Sequence, residues 1–157
     1  MNEISVNGGI YTVDRAARGD LPALIDLLRD DPLGAEREST DLSAYERAFT
    51  AIDDDPRQHL ASVRDSEGNI VGTMQMTLIP GLARSGALRL QIEGVRVAEH
   101  ARGGGLGRAM FSWAHEFGRG RGAELVQLTT DKTRTGAHRF YENLGYEATH
   151  EGFKRAL

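Results

Sequence analysis

With 157 residues, 39% of them hydrophobic and 27% charged, the chain suits one globular domain with its own core and is excluded from the disordered and fibrous classes. It has no cysteine, which excludes disulfides, thiolate metal sites and a cysteine nucleophile. A net charge of -4 gives no electrostatic support to a nucleic-acid partner, and no apolar run reaches the ~18 residues of a membrane span.

Residues 1–9 read as a loose tail, and Ile10 to Val13 as a first strand. Met1 opens a polar segment without a signal-peptide pattern, so a cytoplasmic protein is expected. Asp20 is placed to cap a helix carrying Leu21, Leu24, Ile25 and Leu28, with Pro22 tolerated in its first turn. The polar stretch Asp30 to Asp41 reads as a loop. Its acids (Asp30, Asp31, Glu36, Glu38 and Asp41) are either a solvated surface or a field favouring a cationic ligand. Ser43 with Glu46 forms a capping box for a second helix bearing Tyr45, Phe49 and Ile52. His59 to Arg64 and Ile70 to Ile79 are strands joined by the turn residues Asp65 to Asn69. Pro80-Gly81 turns the chain, and residues 82–86 form a short loop.

The next stretch organises the rest. Leu88, Leu90 and Ile92 alternate with Arg89, Gln91 and Glu93, the period of a half-buried strand. The following apolar pair, Val95 and Val97, has the opposite parity. One extra residue around Glu93-Gly94 accounts for the flip, so a β-bulge is expected there. Beyond it, Leu106, Ala109, Met110, Trp113, Ala114 and Phe117 form the apolar stripe of a helix. Between strand and helix lies Arg102-Gly103-Gly104-Gly105-Leu106-Gly107-Arg108. The first N–H groups of a helix lack internal partners, and the macrodipole adds positive potential there. Glycines let that backbone approach a ligand, and two arginines add charge. The loop therefore suits a phosphate or pyrophosphate, a packing turn being the alternative. Neither G-x-G-x-x-G nor the P-loop pattern is met.

Gly118 to Gly122 stops the helix, and Leu125 to Thr129 reads as a strand covered on both faces. Ala137, Phe140, Tyr141 and Leu144 form a last helix stripe with Gly145 as C-cap. Tyr146 to Leu157 is expected to supply edge strands on either side of Gly152. The five histidines (His59, His100, His115, His138 and His150) show no metal-like pairing, so no metal is expected.

Strand, bulge, Arg102-x-x-Gly105-x-Gly107 and helix, followed by Phe140-Tyr141-Glu142-Asn143-Leu144-Gly145-Tyr146, resemble the GNAT superfamily of acetyl-CoA-dependent N-acetyltransferases. The loop is similar to that family's [R/Q]-x-x-G-x-[G/A] signature, which receives the pyrophosphate of coenzyme A. The later segment is similar to its F-Y-x-x-x-G-[F/Y] signature. The likeness is strong over residues 88–146, with Arg15-x-Ala17-x-x-Asp20-Leu21 resembling the family's opening. It implies a single α/β domain over residues 1–157. Its mixed, mostly antiparallel sheet would splay at the bulged strand and be flanked by about four helices. Acetyl-CoA would be the cosubstrate, without a metal.

The reaction so implied is attack of an amine on a thioester. An amine with a pKa near 10.4 is neutral in roughly one molecule in 10³ at pH 7, a deficit of ~4 kcal/mol that a base helps offset. A departing thiolate benefits from an acid, and the developing oxyanion from a donor. By resemblance Glu93 is the base, a strand carboxylate paired with an arginine such as Arg89 being the alternative; Tyr141 is the acid and the Val95 N–H the oxyanion donor, while Val97 pairs with the pantetheine arm. Gly103, Gly104, Gly105, Leu106, Gly107, Arg102 and Arg108 would receive the pyrophosphate. Arg134 stands where the family often has asparagine, so its contact with the cofactor differs in kind. Lys132 and His138 are either neighbours of the cofactor or solvated surface. The acceptor is expected to be a small-molecule amine, with no nucleic-acid or membrane partner and a homodimer left open. Protein or peptide N-acetylation and a non-catalytic coenzyme A-binding module are the alternatives.

Overall fold

The computed structural model describes residues 2–157; Met1 lies outside the described residues. They fall into two compact units, residues 2–127 and Leu128–Leu157. Six strands of the first unit form one sheet in chain order: β1 (Glu3–Val6), β2 (Gly9–Arg15), β3 (Gln58–Arg64), β4 (Ile70–Ile79), β5 (Arg89–Val97) and β6 (Leu125–Gln127). All neighbours are antiparallel except β5 and β6, which are parallel. The helices are α1 (Leu21–Arg29), α2 (Pro32–Arg37), α3 (Leu42–Asp54), α4 (Ala83–Gly86), α5 (Leu106–Arg119) and, in the second unit, α6 (Thr135–Glu142). In the single turn α4, Arg84 and Ser85 are left-handed, with φ of 55° and 58°. No described helix is long and apolar enough to cross a membrane.

The expected bulge is present. Thr73 pairs with Arg96 and Gln75 with Glu93, so Gly94 and Val95 of β5 together face the single residue Met74 of β4. Gly94 takes φ 62°, a conformation that costs a side chain about 1–2 kcal/mol. Leu90, Ile92, Met74 and Met76 are buried on one sheet face, where α5 packs through Leu106, Met110, Phe111, Ala114 and Gly118. Phe111 is the addition to the expected stripe, and Trp113 and Phe117 sit at its half-buried margin. On the opposite face Leu21, Leu24 and Ile25 of α1 and Phe49 of α3 build a second cluster with Ala16.

Several local expectations are corrected. Residues 3–15 are a hairpin rather than a tail, because Asn7 (φ 49°) and Gly8 (φ 83°) make a two-residue turn whose twist matches its strands. Asp20 occupies the N-cap position of α1 but its side chain does not cap the helix; its carboxylate accepts from the Ala17 N–H at 2.9 Å and from Arg64 at 2.6 Å. Residues 32–37 are helical, started by Pro32 in the first turn. The cap of α3 is Asp41, which accepts from the Ser43 N–H at 3.0 Å, two positions earlier than the expected Ser43. In the second unit, Gly145 (φ 89°) ends α6 as foreseen, with the Tyr146 N–H donating to Tyr141 O and the Gly145 N–H to Glu142 O. No strand forms in residues 146–157, where Phe153 and Leu157 are exposed and no alternating apolar face exists to bury one.

His59 of β3 packs against Trp113 and Phe117, at ring separations of 5.9 Å and 4.8 Å. Its Nε2 is buried without a hydrogen-bond partner among the described residues. Burial, helped by the charges of Arg15 and Arg121, pushes the imidazole down to about 4 from its ordinary 6.5. Above pH 6.5 the ring is neutral in folded and unfolded chains alike; as pH falls from 6.5 to about 4 the unfolded chain protonates first and stability is lost. His59→Phe should therefore flatten this part of the acid limb relative to the parent, read as urea midpoints across that window. Parallel pH profiles for the two proteins would contradict it.

Candidate functional site

Three successive pieces of sequence build one edge: the second half of β5, the turn from Ala98 to Gly105, and the first turn of α5. Pairing of β5 to β6 ends at Gln91↔Gln127, while β5 continues to Val97. Successive residues of a strand direct their N–H groups to opposite edges. The Ala98 N–H donates to Val71 O of β4 at 2.8 Å, so those of Val95 and Val97 point to the edge that β6 leaves.

The carbonyls on that edge are already held. Arg96 Nη1 donates to Val95 O and Arg102 Nε to Val97 O, each at 2.8 Å. Two consecutive acids after α1 hold these guanidiniums: Asp31 lies 3.2 Å from Arg96 and Asp30 lies 3.1 Å from Arg102. The Arg96–Asp31 side chains are only 18% and 11% exposed. Removing one member of such a buried pair costs about 3–5 kcal/mol, so it ties the α1–α2 connection to the bulged strand. The Arg102–Asp30 pair is about half exposed, at 48% and 49%, and contributes about 0–1 kcal/mol. The Arg102 side chain is thus turned back onto the strand and Asp30.

The loop presents its backbone instead. Gly105 starts α5 in the left-handed region (φ 95°), and Gly103 has φ 78°. Among the described residues no backbone hydrogen bond is made by the N–H groups of Gly103, Gly104 or Gly105. A Cβ at Gly103 or Gly104 would meet nothing within 4 Å, so the backbone is open to a ligand there. Leu106 is 2% exposed and anchors the helix start in the core, Gly107 is half-buried, and Arg108 is exposed on the first turn.

The hairpin supplies a partner that the sequence reading misses. Asn7 Nδ2 donates to Gly104 O at 2.8 Å, bracing the loop from β1–β2. The Asn-Gly pair signals the turn, but no sequence signal marks its target 97 residues away. Asn7→Asp keeps a turn-compatible residue and replaces the donor by a carboxylate facing a carbonyl. Coenzyme A affinity should fall about 10-fold with little change in melting temperature; an unchanged dissociation constant would refute the bracing role.

Glu93 lies immediately before the bulge glycine, opposite Gln75, with its side chain exposed. No ion pair joins it to Arg89 among the described residues. The acid-rich stretch is mostly occupied elsewhere: Asp30 and Asp31 hold the arginines, Glu38 accepts from the Tyr45 hydroxyl and Asp41 caps α3. Glu36 remains exposed.

The other expected residues belong to the second unit. Tyr141 is half-buried on α6, its ring 5.5 Å from Phe140 and 6.0 Å from Tyr146. Arg134 occupies the N-cap position of α6 with an exposed side chain. Lys132 lies 3.9 Å from Glu151, and His138 Nε2 lies 3.1 Å from Asp131 O.

A family model described as Acetyltransferase (GNAT) family matches residues 21–146. The aminoalkylphosphonate N-acetyltransferase of Salmonella typhimurium is 31% identical over 121 residues, 77% of each chain. The crystal structure of a transcriptional regulator from Bacillus halodurans C-125 is 43% identical with a TM-score of 0.89, covering 94% of this chain and 99% of that one. Glucosamine-6-phosphate N-acetyltransferase from Arabidopsis thaliana shares the fold at 18% identity, with a TM-score of 0.76 over 93% of this chain and 97% of that one.

Proposed function

The chain belongs to the acetyltransferase (GNAT) family and is an N-acetyltransferase, and on that premise we propose that it moves the acetyl group of acetyl-CoA to the primary amine of a small molecule. The observation that carries the reading is the β5 edge left open beyond Gln91, running directly into the unbonded N–H groups of the glycine loop. An extended pantetheine arm can accept hydrogen bonds from the N–H groups along that edge, and a pyrophosphate suits the start of α5. The Salmonella relative, named for a small amine, supports the acceptor class.

Bound acetyl-CoA supplies an acyl group activated as a thioester. Glu93 takes the proton of the acceptor ammonium, directly or through a water. The Val95 N–H donates to the acetyl oxygen as charge develops there, and Arg96 holds the carbonyl of the peptide that follows. Val97 pairs with the pantetheine amides. The N–C bond forms as C–S breaks, Tyr141, assigned by its motif, gives its proton to the thiolate, and the second proton that the acylated nitrogen loses restores the Tyr141 hydroxyl through water. The pyrophosphate falls to the backbone of Gly103, Gly104, Gly105, Leu106 and Gly107, with Arg108 adding charge. Arg102 holds the strand-to-loop junction, and Arg134 is a further phosphate contact.

Two measurements test this together. Coenzyme A at 100 times its dissociation constant should stabilise the fold by about 2.7 kcal/mol, a melting shift on the order of 2–8 °C. Acetyl-CoA should release thiol with at least one member of a panel of amines, amino acids and peptides. No melting shift would overturn the reading. The Bacillus halodurans relative, described as a transcriptional regulator, favours a second one: a coenzyme A-binding regulator without turnover. A shift without thiol release from any amine would select it, and release with peptides alone would select protein acetylation.

A further inference from the structure

At the β6 side of the sheet, one face carries polar side chains where the other carries Met76, Leu90 and Ile92. Register sets Gln58 beside Thr77, Thr77 beside Gln91, Gln91 beside Gln127, and Gln75 beside Glu93. These half-buried groups satisfy one another. Thr77 Oγ1 donates to Gln58 Oε1 at 2.8 Å, Gln75 Nε2 to the same oxygen at 3.1 Å, and Gln127 Nε2 to Gln91 Oε1 at 2.8 Å. Arg89 shares this face, since it precedes Glu93 by four residues with the bulge still ahead. It is half-buried, its side chain makes one long hydrogen bond, 3.4 Å to the neutral Gln127 Oε1, and no carboxylate among the described residues pairs with it. Five N–H donors on a half-buried cation, with one weak neutral acceptor, form a receptor for an oxyanion.

We infer that Arg89 receives an anionic group of the acceptor, so that the substrate is a bifunctional small molecule with its amine at Glu93 and a phosphonate, phosphate or carboxylate at Arg89. The inference rests on the acetyl-transfer reading of the site. Four residues of strand separate the two Cα atoms by about 13 Å, a span that an arginine, a glutamate and a short aminoalkyl chain fill together. The neutral amides and hydroxyl between them offer hydrogen bonds without competing charge. Of the acids that would favour a cationic acceptor, Asp31 and Asp30 are held by Arg96 and Arg102.

The test uses four probes of matched chain length: an aminoalkylphosphonate, an amino acid, an alkylamine and a diamine. Thiol release is measured with the parent, Arg89→Gln and Arg89→Lys, and phosphonate binding to the coenzyme A-saturated protein is measured by calorimetry. For the parent, an anionic probe should be the best acceptor. Arg89→Gln should lower its kcat/KM roughly 10- to 100-fold, mainly through KM, and weaken calorimetric binding to match. The alkylamine should be unaffected, and Arg89→Lys should recover part of the loss. Preference for the diamine, or an equal loss with the alkylamine, overturns the inference. If no probe releases thiol, the transfer reading fails instead, and calorimetry still decides whether Arg89 holds an oxyanion. An unchanged coenzyme A melting shift in both variants verifies that they fold, and phosphonate binding indifferent to Arg89 is also negative.

Discussion

Glu93→Gln lowers turnover by about 10²- to 10⁴-fold near neutral pH, the usual worth of general base catalysis, and regains part of it at high pH. The recovery is the informative feature. A base is needed because almost all of the amine is protonated near pH 7; as pH approaches the amine pKa of ~10.4, solvent performs that deprotonation. The fold should be indifferent, since Glu93 is exposed and forms no ion pair with its strand neighbour Arg89. Coenzyme A affinity should also be unchanged. A pH–rate profile of kcat/KM for both proteins is the measurement. A glutamine variant with the parent's profile would remove Glu93 from proton transfer.

Tyr141→Phe produces a comparable loss, about 10²- to 10⁴-fold if breakdown at sulfur limits the rate, with no recovery at high pH. Phenylalanine keeps the ring contacts with Phe140 and Tyr146, so stability and coenzyme A binding should hold. The neighbouring Tyr146 is a natural control. Burial, with Tyr141 beside it, pushes its hydroxyl well above the ordinary tyrosine range, a poorer acid than an ordinary tyrosine, so Tyr146→Phe should cost much less. Full turnover by Tyr141→Phe with acetyl-CoA would leave Tyr141 a packing residue. Because one defect recovers with pH and the other does not, the two roles can be separated in one set of profiles.

What was legible in the chain follows one rule. Features set by neighbours within a few residues can be read from order alone. The parity flip between Ile92 and Val95 reports the bulge, because alternation is a property of one strand, and Gly94 at φ 62° sits where it breaks. The stripe from Leu106 onward reports α5, and Gly145 the end of α6. The Asn7-Gly8 turn was equally local; reading residues 1–9 as a tail overlooked a signal that is present. Caps are less certain because adjacent polar residues compete: both Asp41 and Ser43 can cap α3, and geometry selects Asp41.

Partnerships across the sheet were not legible. Asp30 and Asp31 look like two more acids in an acidic stretch, yet each meets an arginine more than 60 residues away, Arg102 and Arg96. Arg89 in turn looks like the partner of Glu93 and is left without a carboxylate. By itself the sequence determined the strand–bulge–loop–helix order, and with it a backbone suited to an anion. Only the tertiary structure decided which charges cancel and which stay available. Charge pairing acts between atoms a few ångströms apart, a separation that order along the chain does not encode.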